Sequence, residues 1–375
     1  MIEQLVTNES QLSGLVDDLL KEETVAIDTE SNSFFGYPEK VCLIQIATDS
    51  ETWIIDPLSI NNMNPLRKLL ESQNVQKIIH AADNDLRVID RDWEFNVRNI
   101  FDTSVAAKFC GYERTGLDVV LERTIGVVIE KNKKLQRANW GLRPLSKEAL
   151  NYAETDVVYL VRLRDGLIGK LQELDRVDWV MEEFRRIEDV RYTPPAPPET
   201  AFFSMKGSHA LGPKELSVLK TLYEFRDLQA RKRDVPPFKI LSNEVLVYLS
   251  KNPYVPFDKV SGLSRKLPPQ FLRQLKNRIS DGLKSDGIPR PIQTKRDKNV
   301  GVVEYAGRLK ELKKWRENLG NKLNLDPPLV WPTNSLNQLA RVPGSIDKEI
   351  LESKDLRVWQ KGEFEGLIRN KLSDL

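Results

Sequence analysis

At 375 residues and 40 % hydrophobic content the chain is long enough for two or three domains with ordinary cores. No apolar run approaches the roughly 18 residues that a membrane span needs, and Met1-Ile-Glu-Gln has neither the basic start nor the apolar stretch of a signal peptide, so a soluble, cytoplasmic protein without a membrane partner is expected. The net charge of +2 conceals an asymmetry: residues 1–200 carry 24 Lys+Arg against 35 Asp+Glu, residues 201–300 carry 20 against 9, and the remainder 13 against 11. A basic middle beside an acidic first half points to polyanion contact in the one and cation binding in the other, a solvated basic face being the plain alternative.

In chain order, residues 10–22 read as a helix with Leu12, Leu15, Leu19 and Leu20 on one side. Val25-Ala-Ile-Asp28-Thr-Glu30 reads as a strand. Successive strand side chains alternate faces, so Asp28 and Glu30 share one; two carboxylates so close repel when ionised, and a shared cation relieves the repulsion. Taken alone, the pair equally fits a strand end dipping into solvent. Lys40–Ala47 and Thr52–Ile55 are further strands, followed by a helix at Leu66–Leu70, a strand at Gln76–Ile79, a helix at Leu86–Ile89, a strand at Asn99–Phe101 and a helix at Ser104–Phe109. Strands alternating with helices indicate an α/β layer fold with a mixed sheet.

Asp83 is placed to cap the helix after the fourth strand, leaving Asp85 in the first turn to point back across the strand ends; Asp102 is placed as a second cap. His80 reads as a packing residue at a strand terminus. The basic loop 131–144 mixes cations with one Trp, the composition that meets phosphates and bases, and its Lys134, Arg137, Trp140 and Arg143 are candidate nucleic-acid contacts unless the loop is a solvated connection. Ser146 then caps a long helix with Leu150, Ala153, Val157 and Leu160 toward the core, and with Tyr152 and Asp156 stacked at the edge of that stripe.

With only His80 and His209 available, and Cys42 and Cys110 far apart in apolar surroundings, any metal here should be a hard one held by carboxylates, and the thiols suit a reducing cytosol. The proline-rich run over residues 193–200 marks a domain boundary. Beyond it a repeat emerges: Leu222–Asp227, Pro236-Pro237 and Val245–Leu249 are echoed by Leu312–Glu317, Pro327-Pro328 and Leu336–Ala340, offset by 90 residues before the prolines and 91 after them. The first copy holds Arg231-Lys232-Arg233, Arg265-Lys266, Arg273 and Lys276; the second is nearly neutral. No P-loop pattern occurs, so no nucleotide cofactor is expected.

Together, Ala26-Ile-Asp28-Thr-Glu30 with Val41-Cys-Leu-Ile-Gln-Ile, Ile79-His-Ala-Ala-Asp83-Asn-Asp85-Leu, Trp140-Gly-Leu-Arg-Pro-Leu and Tyr152-Ala-Glu-Thr-Asp156-Val-Val-Tyr-Leu resemble the ribonuclease D family of DEDD-type 3′-to-5′ exonucleases with tyrosine in the third motif. Departures are Ser31, where relatives often carry an aromatic, and Asn139, where they carry an acid before the Trp. The resemblance implies a ribonuclease H-like mixed sheet flanked by helices over residues 1–193, a linker over 194–200, an all-α HRDC domain over 201–290 and a diverged HRDC-like domain over 300–375. It also implies that Asp28, Glu30, Asp85 and Asp156 bind two divalent cations, Mg2+ or Mn2+, that Tyr152 orients the attacking water, and that tRNA-like RNA 3′ ends are the substrate. Arg231, Lys232 and Arg233 would then grip the substrate body. The alternatives are a DNA-directed 3′-5′ exonuclease and a non-catalytic nucleic-acid-binding scaffold.

Overall fold

A computed structural model describes residues 5–263, 267–291 and 302–375; Arg265 and Lys266 lie outside the described residues. Six strands form one mixed sheet in the order β1-β4-β3-β2-β5-β6: β1 (Leu5–Val6), β2 (Thr24–Ser31), β3 (Val41–Ala47), β4 (Thr52–Ile55), β5 (Gln76–Ile79) and β6 (Ile100–Asp102). β3 runs antiparallel to both β2 and β4; β1 pairs with β4, β5 with β2 and β6 with β5 in parallel. Five of these strands match the apolar runs of the sequence. β1 is too short, at two residues, to leave a pattern.

The alternation along β2 decides how the layers form. Val25 and Ile27 point into a core shared with α1 (Glu9–Leu19), α2 (Asn64–Leu70) and α3 (Asp83–Trp93). Ala26 points to the other face, covered by α4 (Thr103–Phe109), α5 (Leu117–Ile125), α7 (Leu160–Glu173) and α8 (Val177–Ile187). Asp28 and Glu30 continue the Ala26 face. The long helix expected from Ser146 is instead two. Ser146 does cap α6 (Lys147–Thr155), accepting from the Ala149 amide at 3.2 Å, but this helix ends at Asp156 and α7 begins four residues on.

Asp83 is not a cap: it is the first residue of α3, exposed and paired with Arg87 at 2.8 Å, since the residue in the cap position is Ala82. Asp102 does more than expected. Its carboxylate accepts from the amides of Ser104 and Val105 as the cap of α4, and from Ala81 and Ala82, which fixes the turn leading into α3.

The C-terminal half is helical. α9 (Pro198–Ala201) takes up the end of the proline-rich run and leads to α10 (Pro213–Arg233), α11 (Pro237–Ile240), α12 (Asn243–Lys251) and α13 (Pro269–Lys284). α14 (Val302–Leu323), α15 (Pro327–Val330), α16 (Thr333–Arg341), α17 (Ile346–Glu352) and α18 (Val358–Ser373) follow. The internal repeat is real, with one correction of register. Arg226 is buried under its own unit and donates to the Leu241 carbonyl and the Asn243 side chain; Arg316 donates to the Trp331 carbonyl and the Thr333 hydroxyl, each partner ninety residues on. α11 and α15, and α12 and α16, keep that spacing, so the offset stays at 90 past the prolines: Pro237 corresponds to Pro327, and Leu246 and Leu249 to Leu336 and Leu339. Matching the two proline pairs as letters misplaced the register by one.

The second unit is fastened to the sheet domain. Trp359 stacks on Trp179 at 4.7 Å and meets the edge of Phe109 at 5.5 Å, while Glu183 clamps Arg357 and Glu182 accepts from the Val358 and Trp359 amides that begin α18. Trp359 is 8 % exposed. Trp359→Ala should therefore cost about 3–5 kcal/mol, as deletion of a buried aromatic does, read as a lower urea midpoint and faster proteolysis of the second unit. Leu351→Ala, at a position 82 % exposed, should leave both unchanged.

Candidate active site

Three local decisions bring the acids together. β2 ends in a register shift between Glu30 and Ser31, where Cys42 of β3 is the extra residue, so the strand twists away directly after its second carboxylate. Asp156 stands where α6 stops, its backbone still helical (φ −72°, ψ −16°), which turns its carboxylate toward the sheet face bearing Asp28 and Glu30. Carboxylate oxygens of Asp28, Glu30 and Asp156 lie within 4.8 Å of one another. Asp85 approaches from the opposite face, in the first turn of α3, and is 6 % exposed; Thr29, pointing away from Asp28, donates its hydroxyl to Asp85 Oδ1 at 2.5 Å. The four acids and Tyr152 line one cleft of about 780 Å³ together with His80, Asp118 and Lys131.

Crowding and burial set the protonation of this group. Burial pushes Glu30 up to about 9, with the Asp156 and Asp85 charges adding to it. It pushes Asp156 to about 7 and Asp85 to about 6, the Tyr152 and Thr29 hydroxyls respectively opposing the rise. Asp28, half-buried and facing the other three, is held well above the usual carboxylate range by desolvation and then by their charges. The Tyr152 phenol is raised by burial and then by Asp156, Glu30 and Asp28, so it keeps its proton at neutral pH. An all-oxygen donor set under mutual repulsion fits a hard divalent cation, which would offset the charge that burial disfavours.

The remaining sequence candidates separate. Trp140 is not a base-stacking surface: it is 1 % exposed and packs against Cys42, Leu43, Ile54 and Ala153, its ring 6.2 Å from that of Tyr152, so it backs the tyrosine. Arg143 is not a phosphate contact either. Its five N–H groups are committed to Asp56 and to the carbonyls of Cys42, Trp140 and Leu142, an anchor that fastens the basic loop to β3 and to the turn after β4. A sequence shows an arginine's charge but not its partners. Lys134 and Arg137 are exposed but do not line the cleft. Arg231, Lys232 and Arg233 are exposed on the last turn of α10, Arg231 paired with Asp227 at 2.8 Å. His80 bonds Thr103 at 2.8 Å, as a packing residue would, yet it also lines the cleft.

Two residues escaped the sequence reading. Lys131, at the start of the basic loop, is the one cation lining the cleft among the described residues and pairs with Asp118 at 2.8 Å. Gln45, fully buried and directly opposite Asp28 in the β2/β3 register, has no hydrogen-bond partner for its amide among the described residues. Its even spacing within an apolar strand was the available signal.

Each acid of the cluster binds its proton more tightly in the folded chain than in the unfolded one. The cluster's contribution to the stability of the metal-free fold is therefore fully present below the unfolded carboxylate value of about 4 and is lost as pH rises through the window of about 6 to 9. Melting followed in chelator should show Tm falling from pH 5 to pH 9, with a shallower fall for Glu30→Gln. Added Mg2+ should raise Tm most at the alkaline end, where the ligands are already deprotonated.

Comparison with known proteins agrees with this geometry. A 3′-5′ exonuclease family model matches residues 4–172 and an HRDC domain model residues 215–253. The chain is 30 % identical over 266 residues to the ribonuclease D of Gluconacetobacter diazotrophicus, covering 70 % of this chain and 67 % of that protein. It is 28 % identical over 342 residues to that of Desulfotalea psychrophila, covering 90 % of each. With Protein RRP6-like 3 of Arabidopsis thaliana the identity is 33 % over 269 residues, 65 % of this chain but only 30 % of that longer protein. The crystal structure of Escherichia coli RNase D superposes with a TM-score of 0.71 over 100 % of this chain and 99 % of that one, at 22 % identity, and shares the fold. By its exonuclease and HRDC matches and its identity to these relatives, the chain belongs to the ribonuclease D family.

Proposed function

We propose that the protein is a 3′-to-5′ exoribonuclease that hydrolyses the terminal phosphodiester of RNA and releases nucleoside 5′-monophosphates, with two divalent cations, Mg2+ or Mn2+, as cofactors. The observation that carries the proposal is the convergence of Asp28, Glu30, Asp85, Asp156 and Tyr152 on one cleft from a strand end, two helix termini and a helix face. The catalytic domain occupies residues 1–193, residues 194–200 are the linker, and the helical units occupy 201–290 and 300–375.

In the reaction the oxygen of a water attacks phosphorus in line with the departing 3′-oxygen, the P–O3′ bond breaks, and the leaving oxygen takes up a proton. Asp28, Glu30, Asp85 and Asp156 hold the cations. Bound divalent ions supply a lowered pKa for the attacking water and charge stabilisation for the leaving oxygen. Tyr152 keeps its proton and is a poor base, so its hydroxyl positions the water, and Trp140 behind the ring keeps it from swinging out of the cleft. Lys131 is placed to meet a backbone phosphate.

The exposed cations of the first helical unit, Arg231 to Arg233, and of the loop, Lys134 and Arg137, would grip the body of a structured substrate. Trimming of tRNA-like precursors in the cytoplasm suits that arrangement, and the buried thiols of Cys42 and Cys110 suit a reducing compartment. Among the described residues no helix is long and apolar enough to cross a membrane.

Incubating 5′-labelled RNA and DNA of one sequence with Mg2+, Mn2+ or chelator tests the proposal. The expected result is a ladder shortening from the 3′ end of RNA, dependent on metal and reduced at least a thousandfold in Asp28→Asn. Shortening of DNA alone would make the enzyme a deoxyribonuclease, and binding without shortening would make it a scaffold.

A further inference from the structure

The sheet domain meets the two helical units in different ways. Against the second unit the aromatics are closed off: Phe109 and Trp359 are 1 % and 8 % exposed. Against the first unit they are open. Phe34, in the loop after β2, meets Phe238 of α11 edge-on at 6.4 Å, yet the two rings remain 46 % and 55 % exposed. A contact whose only purpose was to join the units would bury both rings. Beside them stands an exposed cation: Lys239, next to Phe238 in the chain, holds its ammonium 4.1 Å from the centre of the Phe35 ring.

This surface is also held in place. Tyr37 donates its hydroxyl to Asp227 at 2.5 Å and its amide to Asp234 at 2.8 Å, pinning the loop to the first unit at both ends of the Arg231 turn. The loop starts after Ser31, one residue beyond Glu30. Four residues of extended chain span at most about 14 Å, so Phe34 lies within about four stacked nucleotides of the catalytic acids.

We propose that Phe34 and Phe238, with Lys239, form a stacking platform for the single-stranded RNA just upstream of the terminal nucleotide. This rests on the exoribonuclease reading for its ligand. Half-exposed aromatic faces interleaved with cations take bases by stacking and phosphates by charge, without regard to sequence. The platform holds the strand as it feeds the cleft.

The test is affinity for labelled single-stranded RNA in chelator, so that it is independent of cleavage, measured for a 4-mer and a 12-mer. In the wild type, affinity should rise with length. Phe34→Ala/Phe238→Ala should lose about tenfold or more on the 12-mer and most of the gain with length, while melting as the wild type does. Phe238→Leu, which keeps an apolar contact with Phe34 but offers no ring, should lose affinity too, and Phe238→Tyr should restore it. Wild-type affinity in Phe34→Ala/Phe238→Ala, or in Phe238→Leu, would overturn the platform and leave the pair as an adhesive between units or a protein-facing patch. Failure of the wild type to shorten RNA in metal would sink the catalytic reading instead, and the binding comparison would still decide this one.

Discussion

Four carboxylates gathered on one cleft, three of them with oxygens within 4.8 Å of one another, are the constraint on which this structure depends. Left metal-free they oppose folding, since each must give up solvation beside like charges, and the surrounding architecture holds them there. β2 is held by β5 up to Ala26 and by β3 through Asp28 and Glu30, which fixes the two acids on one strand face. Asp102 ties the turn into α3, through the Ala81 and Ala82 amides, to the start of α4, through those of Ser104 and Val105, and Thr29 fixes Asp85 from behind. The interruption between α6 and α7 is part of the same design, because a continuous helix would carry Asp156 past the cluster.

Much of this was legible. Alternation along β2 places Asp28 and Glu30 on one face, Ser146 announces α6, and the order of apolar runs predicts the mixed sheet. What failed shares one cause: a sequence shows residue types but not their partners. Trp140 and Arg143 sit in a stretch that reads as basic and solvated, yet one is core and the other has every donor bound. The helix break at Asp156 was hidden because Val157 and Leu160 continue the apolar spacing across the turn. In the repeat, matching proline pairs displaced a register that the buried Arg226 and Arg316 bonds restore.

The two helical units share a fold but not a use. Burial of Trp359 against Trp179 and Phe109 makes the second an extension of the catalytic body, consistent with its near-neutral charge. The first keeps Arg231, Lys232 and Arg233 exposed and touches the catalytic domain through the loop after β2. Under the proposed function, the second copy would support the catalytic body and the first, with the basic excess of residues 201–300, would meet the substrate.

The central claim is that the acidic cluster is built for two divalent ions. Calorimetric titration of the metal-free chain with Mn2+ at neutral pH, in two buffers of different ionisation enthalpy, tests it most directly. The account predicts two ions per chain and net proton release, because Glu30 and Asp156 are wholly or partly protonated before binding. Fewer than two ions, or binding without proton release in a chain that melts cooperatively, would contradict it.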